Sequence, residues 1–149
     1  MSIEEQPIVE PLAKFHAKLD KEGRVTIPKA IREALGLKKN DYVEVIIRKI
    51  NIDYKNQKIY VIMQAYLITR MGTKGILFLP KDLQREMDLQ TKEVVEILLV
   101  GFHKFEELLS EKGKRLLTKS QNIGKWAILK PDQPFPHEPD MMYFVYVFS

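Results

Sequence analysis

Apolar and polar residues alternate along this chain in short runs that prolines cut off. AKLDKEGRVTIP sets Ala17, Leu19, Val25 and Ile27 on one side and Lys18, Arg24 and Thr26 on the other, with DKEG between as a turn. That pattern predicts a hairpin whose closing turn uses the positive φ of Gly23. Pro28 has no N–H for a ladder but suits a helix start, so the strand switches there to a short helix with Ile31, Ala34 and Leu35 on one face and Gly36 as its left-handed cap. After the turn KKND, YVEVIIRKI returns to period two, with Val43, Val45 and Ile47 on one face and Tyr42, Glu44 and Ile46 on the other. The unit is strand, turn, strand, short helix, strand, and it is too small to cover its own apolar face.

The same grammar returns 52 positions later. GILFLPKDLQREMDL (75–89) repeats GRVTIPKAIREALGL (23–37) with glycine, proline, lysine and the final leucine in register, and the spacing holds without a gap from Ala17/Thr69 to Ile47/Leu99. Leu77, Leu79, Leu83, Met87, Leu89, Val95 and Ile97 fall at or beside the apolar positions of the first copy. A duplicated unit whose copies share one core is the economical reading. Between them, KINIDYKNQKIYVIMQAYLI reads as two longer strands turning at Tyr54–Gln57, with no flexible linker. The expected division is a tail at 1–13, a first repeat with its connecting hairpin at 14–65, a second, degenerate repeat at 66–101, and a C-terminal helix and strand extension at 102–149. In that extension Phe105, Leu108, Leu109, Leu116 and Leu117 have helical spacing, PDQPFPHEP is an extended connector, and MMYFVYVFS is apolar on both faces. Trp126 and the aromatic tail read first as packing for this extension, and second as an interface through which a homodimer could form.

Charge changes the picture by its distribution. The net charge is +4 over 149 residues, yet residues 14–49 hold ten Lys/Arg against five Asp/Glu, whereas 66–101 hold five of each. A basic first half suggests a polyanionic partner, against the plainer reading of a solvated lysine-rich face. Cysteine is absent, which excludes disulfides, thiolate metal sites and a cysteine nucleophile. No apolar run reaches membrane-helix length and MSIEEQPIVEP is too acidic for a signal peptide, so a cytoplasmic location is expected. His16, His103 and His137 have no metal-ligand spacing, and neither a phosphate loop nor a nucleophile elbow occurs. No cofactor, metal or catalytic residue is expected, and the chain reads as a non-enzyme.

The stretch AKLDKEGRVTIPKAIREALGLKKNDYVEVI closely resembles the DNA-binding domain of the AbrB family, which includes AbrB, SpoVT and MazE-type antitoxins. The resemblance is strong over residues 15–49 and weak over 67–101. It implies a mainly β fold with short helices, a swapped-hairpin barrel, here formed by internal tandem duplication and followed by a C-terminal α/β extension. Tandem copies in one chain also look like MraZ, although the second copy has Gly72 and Ile76 where the first has Asp20 and Arg24. The implied partner is double-stranded DNA. Carried over residue by residue, the implied contacts are Lys18, Arg24 and Arg32, with Lys21 and Lys29 as neighbours, and with Ala17 and Glu33 at two further family positions that are usually basic. Arginine's bidentate fork makes Arg24 and Arg32 the leading candidates, and Arg70 and Lys74 of the neutral copy are expected to matter less. The alternative for Arg24 is an ion pair with Asp20 or Glu22 and nothing more. Function is thus expected to be transcriptional regulation by DNA binding; the alternative is an antitoxin or adaptor gripping a protein through its C-terminal third.

Overall fold

Two prolines set the architecture. The computed structural model describes residues 10–108 and 126–130. Within it Pro28 and Pro80 sit at φ −55° and −56°, ending two strands of three residues each, β2 (Arg24–Thr26) and β5 (Ile76–Phe78), and opening the helices α1 (Lys29–Leu35) and α2 (Lys81–Glu86). Strands this short cannot extend into a larger ladder, and β2 pairs antiparallel with β5 as a two-stranded ribbon. The remaining strands are β1 (Ala13–Lys18), β3 (Tyr42–Asp53), β4 (Lys58–Arg70), β6 (Val94–His103) and β7 (Trp126–Leu129), and they form one antiparallel sheet in the order β1-β6-β3-β4-β7. A single helical turn, α3 (Phe105–Leu108), follows β6. Among the described residues no helix is long and apolar enough to cross a membrane.

The expected barrel is not closed. The described strands make an open five-stranded sheet with β1 and β7 at its edges, faced by the separate β2–β5 ribbon. The reason lies in the prolines: with only three residues before each stop, neither ribbon strand is long enough to carry hydrogen bonds round to the edges of the large sheet.

The ladders obey the 52-residue offset closely. In the ribbon Val25 lies opposite Leu77, its own counterpart, with Arg24 opposite Phe78 and Thr26 opposite Ile76. In the β3–β6 ladder Ile46 lies opposite its counterpart Leu98, flanked by Val45↔Leu99 and Ile47↔Ile97. The β1–β6 pairs Ala13↔Leu99, Phe15↔Ile97 and Ala17↔Val95 reappear 52 positions on as the β3–β4 pairs Ile47↔Ala65, Val45↔Leu67 and Val43↔Thr69. Turn bonds follow suit, Ile27 N to Gly75 O and Leu79 N to Gly23 O both being 2.9 Å. Among the described residues, six of the eight left-handed positions are also counterparts, Gly23 and Gly75, Gly36 and Asp88, Asn40 and Lys92, leaving Gln57 and Lys74 without one.

The core lies between sheet and ribbon. Val25, Ile27, Val43, Val45 and Ile47 from the first segment interleave with Leu77, Leu79, Leu83, Met87, Val95, Ile97 and Leu99 from the second, all in one cluster. Trp126 packs against its margin and donates from Nε1 to Asp82 Oδ1 at 3.0 Å. The opposite face of the large sheet is apolar too, with Ile46, Tyr66, Ile68, Leu98 and Val100 buried. Two glutamates on that face are buried as well. Glu96 accepts from Arg48 at 2.9 Å and meets His16 at 3.0 Å, and Glu44 accepts from the Tyr66 hydroxyl and meets His103 at 2.9 Å. The predicted helix beyond Leu108, the proline-rich connector and the MMYFVYVFS strand lie outside the described residues.

Candidate nucleic-acid interface

The two DKEG-type turns, the ribbon and the two helix starts meet on the face of the molecule away from the large sheet. Arg24 opens the ribbon, opposite Phe78. Its Nε donates to Asp20 Oδ2 at 2.7 Å, a terminal nitrogen reaches Glu22 Oε2 at 2.6 Å, and the guanidinium stands 5.8 Å from the centroid of Phe78. Asp20 also accepts the backbone N–H groups of Glu22 and Arg24 at 2.9 and 2.8 Å, so the carboxylate organises the whole turn. Desolvation would raise the Asp20 pKa, but the hydrogen bonds from Arg24 and from the Glu22 amide outweigh it and hold the carboxyl below the ordinary value. Arg24 thus makes both of the ion pairs that formed its alternative reading. A guanidinium held by two carboxylates offers a ligand less net charge than a free one.

Arg32 plays a different part. Its aliphatic stem lies against Gly75, and its Nε donates to Ile27 O at 3.1 Å. Its counterpart Gln84 does the same at the other end, lying against Gly23 and donating to Leu79 O at 2.8 Å. Each side chain therefore plugs the glycine turn of the opposite segment. A neutral amide does this as well as a guanidinium, so the wedge itself does not require a charge. Among the described residues neither terminal nitrogen of Arg32 has a partner.

The exchange of turns redistributes the other candidates. Lys21, from the first segment, lines a groove of about 660 Å³ together with Lys81, Gln84 and Arg85 of the second, with Glu22 and Asp88 at its walls. Lys74, from the second segment, sits in the short 3-10 turn Thr73–Gly75 that packs against Arg32 of α1. Lys29 is exposed at the start of α1, 3.9 Å from Glu33. Lys18 is exposed at the end of β1, opposite Val94. The five predicted residues therefore do not form one patch: Lys29 and Arg32 are at one end of the ribbon, Lys21 and Arg24 are towards the other, and Lys18 is at the end of β1. Sequence reasoning ranked Lys74 low and passed over Lys81 and Arg85 because it weighed each segment by its own charge. The signal that locates them is the 52-residue alignment, which puts Lys81 under Lys29 and the Lys74 turn under the Lys21 turn.

This segment has recognisable relatives. Residues 17–52 match the family model for antidote-toxin recognition MazE, bacterial antitoxin. The match takes in the end of β1, the first turn, β2, α1 and nearly all of β3. No curated protein matches the chain. Among solved structures the chain is similar to the solution structure of PHS018 from Pyrococcus horikoshii, at 29% identity and a TM-score of 0.52. That similarity covers 64% of this chain and 96% of the other.

Proposed function

We propose that this protein binds duplex DNA through the β2–β5 ribbon and the cationic groups at its two ends, as a transcriptional regulator of the AbrB type working in the cytoplasm without cofactor or catalysis. The reading rests on one observation above the rest: the segment that matches the MazE model brings Arg32 against the turn that carries Lys74, while its own turn carries Lys21 to Lys81 and Arg85. Cations spaced along one face suit a phosphate backbone, whose contacts set affinity and register. We further read 14–65 and 66–101 as duplicated units related by an internal twofold. The offset shared by the β1–β6, β3–β4, β3–β6 and β2–β5 ladders supports this.

The experiment is fluorescence anisotropy on random duplex DNA at graded salt. About five neutralised phosphates give a log-log slope of roughly −4 to −5, at about −0.9 per contact. Affinity indifferent to salt would refute the proposal. Arg32→Gln separates fold from binding. Because Gln84 already fills the equivalent site, urea unfolding should move by no more than about 0.5 kcal/mol, while DNA affinity at low salt falls several-fold. A loss of stability above about 2 kcal/mol would mean that the guanidinium itself holds the turn.

A second reading is supported by the matching family, which is that of a bacterial antitoxin. On that reading the chain neutralises a toxin, gripping it through the C-terminal third, and DNA binding is secondary. A toxin reading frame beside the gene, whose product co-purifies with this chain, would favour it.

A further inference from the structure

The outward face of the β2–β5 ribbon is not symmetric, although its backbone pairing is. Val25 and Leu77, the middle pair, are buried in the core, so by the period-two rule Arg24, Thr26, Ile76 and Phe78 point the other way. Phe78 is 58% exposed. The 52-residue offset puts Thr26 at the same place in the first segment, so a small hydroxyl stands where the second segment holds a large ring. One end of the ribbon thus presents Arg24 with Phe78, and the other presents Thr26 with Ile76.

The Arg24–Phe78 end is poorly suited to a phosphate. Asp20 and Glu22 already hold the guanidinium at 2.7 and 2.6 Å, and it stands 5.8 Å from the Phe78 centroid, within cation–π range. What this end offers a ligand is therefore a braced apolar ring. Single exposed hydrophobic residues are common on protein surfaces, so it is the position of this one that matters. It lies between cations: Lys21 and Lys81 stand in the groove beyond its own end, and Arg32 lies against the turn of Lys74 at the other.

We propose that Phe78 reads sequence: the ribbon enters the major groove, Phe78 packs on the methyl group of a thymine, and the flanking cations sit on the phosphates. This rests on the DNA-binding reading above and narrows its ligand to a directional, non-palindromic site. A major groove about 12 Å wide admits a two-stranded ribbon, and the thymine methyl group is the apolar feature that its base edges present. Phenylalanine against that methyl group is a direct base contact. Phosphate contacts set affinity and register, and the ring adds the sequence. Because Thr26 and Ile76 occupy the other end, the two half-sites differ even though the ladders share one offset.

Selection of bound duplexes from a random pool, followed by base exchange, tests the proposal. The full chain should enrich a non-palindromic motif that contains thymine. Deoxyuridine, which lacks only the methyl group and keeps every charge, then replaces each thymine of the motif in turn. At one position it should weaken wild-type binding about fourfold, the worth of one buried methyl group. Phe78→Ala should bind the motif at least as weakly as the wild type binds that deoxyuridine duplex, should not distinguish the two bases there, and should keep the wild-type salt slope and far-ultraviolet spectrum. The base exchange leaves the protein untouched, so misfolding cannot produce the wild-type penalty. Salt-dependent binding with no sequence preference, a palindromic motif, or a deoxyuridine penalty that persists in Phe78→Ala would overturn the proposal while leaving the DNA reading in place. Absence of salt-dependent binding to the pool would remove the DNA reading and the proposal with it.

Discussion

Gly75→Ala should lower the stability of the folded chain by about 3 kcal/mol, while Gly36→Ala costs only about 1 kcal/mol. Both residues have a left-handed backbone, at φ +78° and +68°, so both pay the penalty of a Cβ in that region. They differ in what the Cβ would meet. Nothing lies within 4 Å of it at Gly36, whereas at Gly75 it would come 2.8 Å from Ile27 O and 2.7 Å from Arg32 Cδ. Arg32 can swing away, but the Ile27 backbone is pinned by its own bond to Gly75 O at 2.9 Å. Gly23, at φ +78°, is the informative control, since the three atoms nearest to its Cβ would all belong to the Gln84 side chain. Urea unfolding should therefore rank the losses Gly75, Gly23, Gly36. A Gly75 loss no larger than that at Gly36 would mean that the two segments do not pack turn against helix as described.

Stability should also fall steeply in acid, and Glu96→Gln should blunt the fall. Burial alone would raise the Glu96 pKa, but hydrogen bonds from Arg48 and His16 and the charges of Lys14 and Arg48 outweigh it and hold the carboxyl below its usual 4.5. Asp41 behaves alike: burial opposes ionisation, but bonds from Lys104 and from the amides of Phe105 and Lys38 hold it below 3.8. A depressed folded pKa means that the unfolded chain binds the proton more tightly. Each group's stabilisation is then fully present above the unfolded value and is lost as pH falls through the lower folded value, so the decline begins below about pH 4.5. At neutral pH Glu96→Ala should cost about 3 kcal/mol, because it leaves the Arg48 guanidinium, itself largely buried, without its counter-charge. Thermal melts between neutral and strongly acid pH check both statements. A melting temperature flat across that range would remove the linkage.

Much of this fold was legible in the sequence for reasons that can be named. Alternation pointed to the strands, prolines 28 and 80 placed the strand stops, and Gly23 and Gly36 adopt the left-handed angles expected of them; but the hairpin expected across DKEG is not formed, since β1 pairs with β6 and β2 with β5. The requirement that one unit borrow apolar cover from the other anticipated a core built from both segments. Partner exchange was not legible, because linear order does not say which turn will lie against which helix. That is why Lys74 was ranked low and Lys81 escaped notice while Lys18 and Arg24 drew it. Nor was the closed barrel correct, since the resemblance carried a topology that three-residue strands do not complete. The burial of Glu44 and Glu96 was hidden too. A glutamate at period two reads as solvent-facing unless one knows that both faces of its sheet are covered, and only pairing with His103 or with Arg48 and His16 makes such a position tenable.

The claim on which the functional account turns is that cations from both segments make one DNA-facing surface around the ribbon. The direct measurement is the salt dependence of duplex binding for the wild type beside the triple variant Lys21→Ala, Lys74→Ala, Lys81→Ala, which draws on both turns and on α2. The account predicts that the log-log slope becomes shallower by about 0.9 for each lysine removed, or roughly 2.7 in all. A variant that binds with the wild-type slope would contradict it.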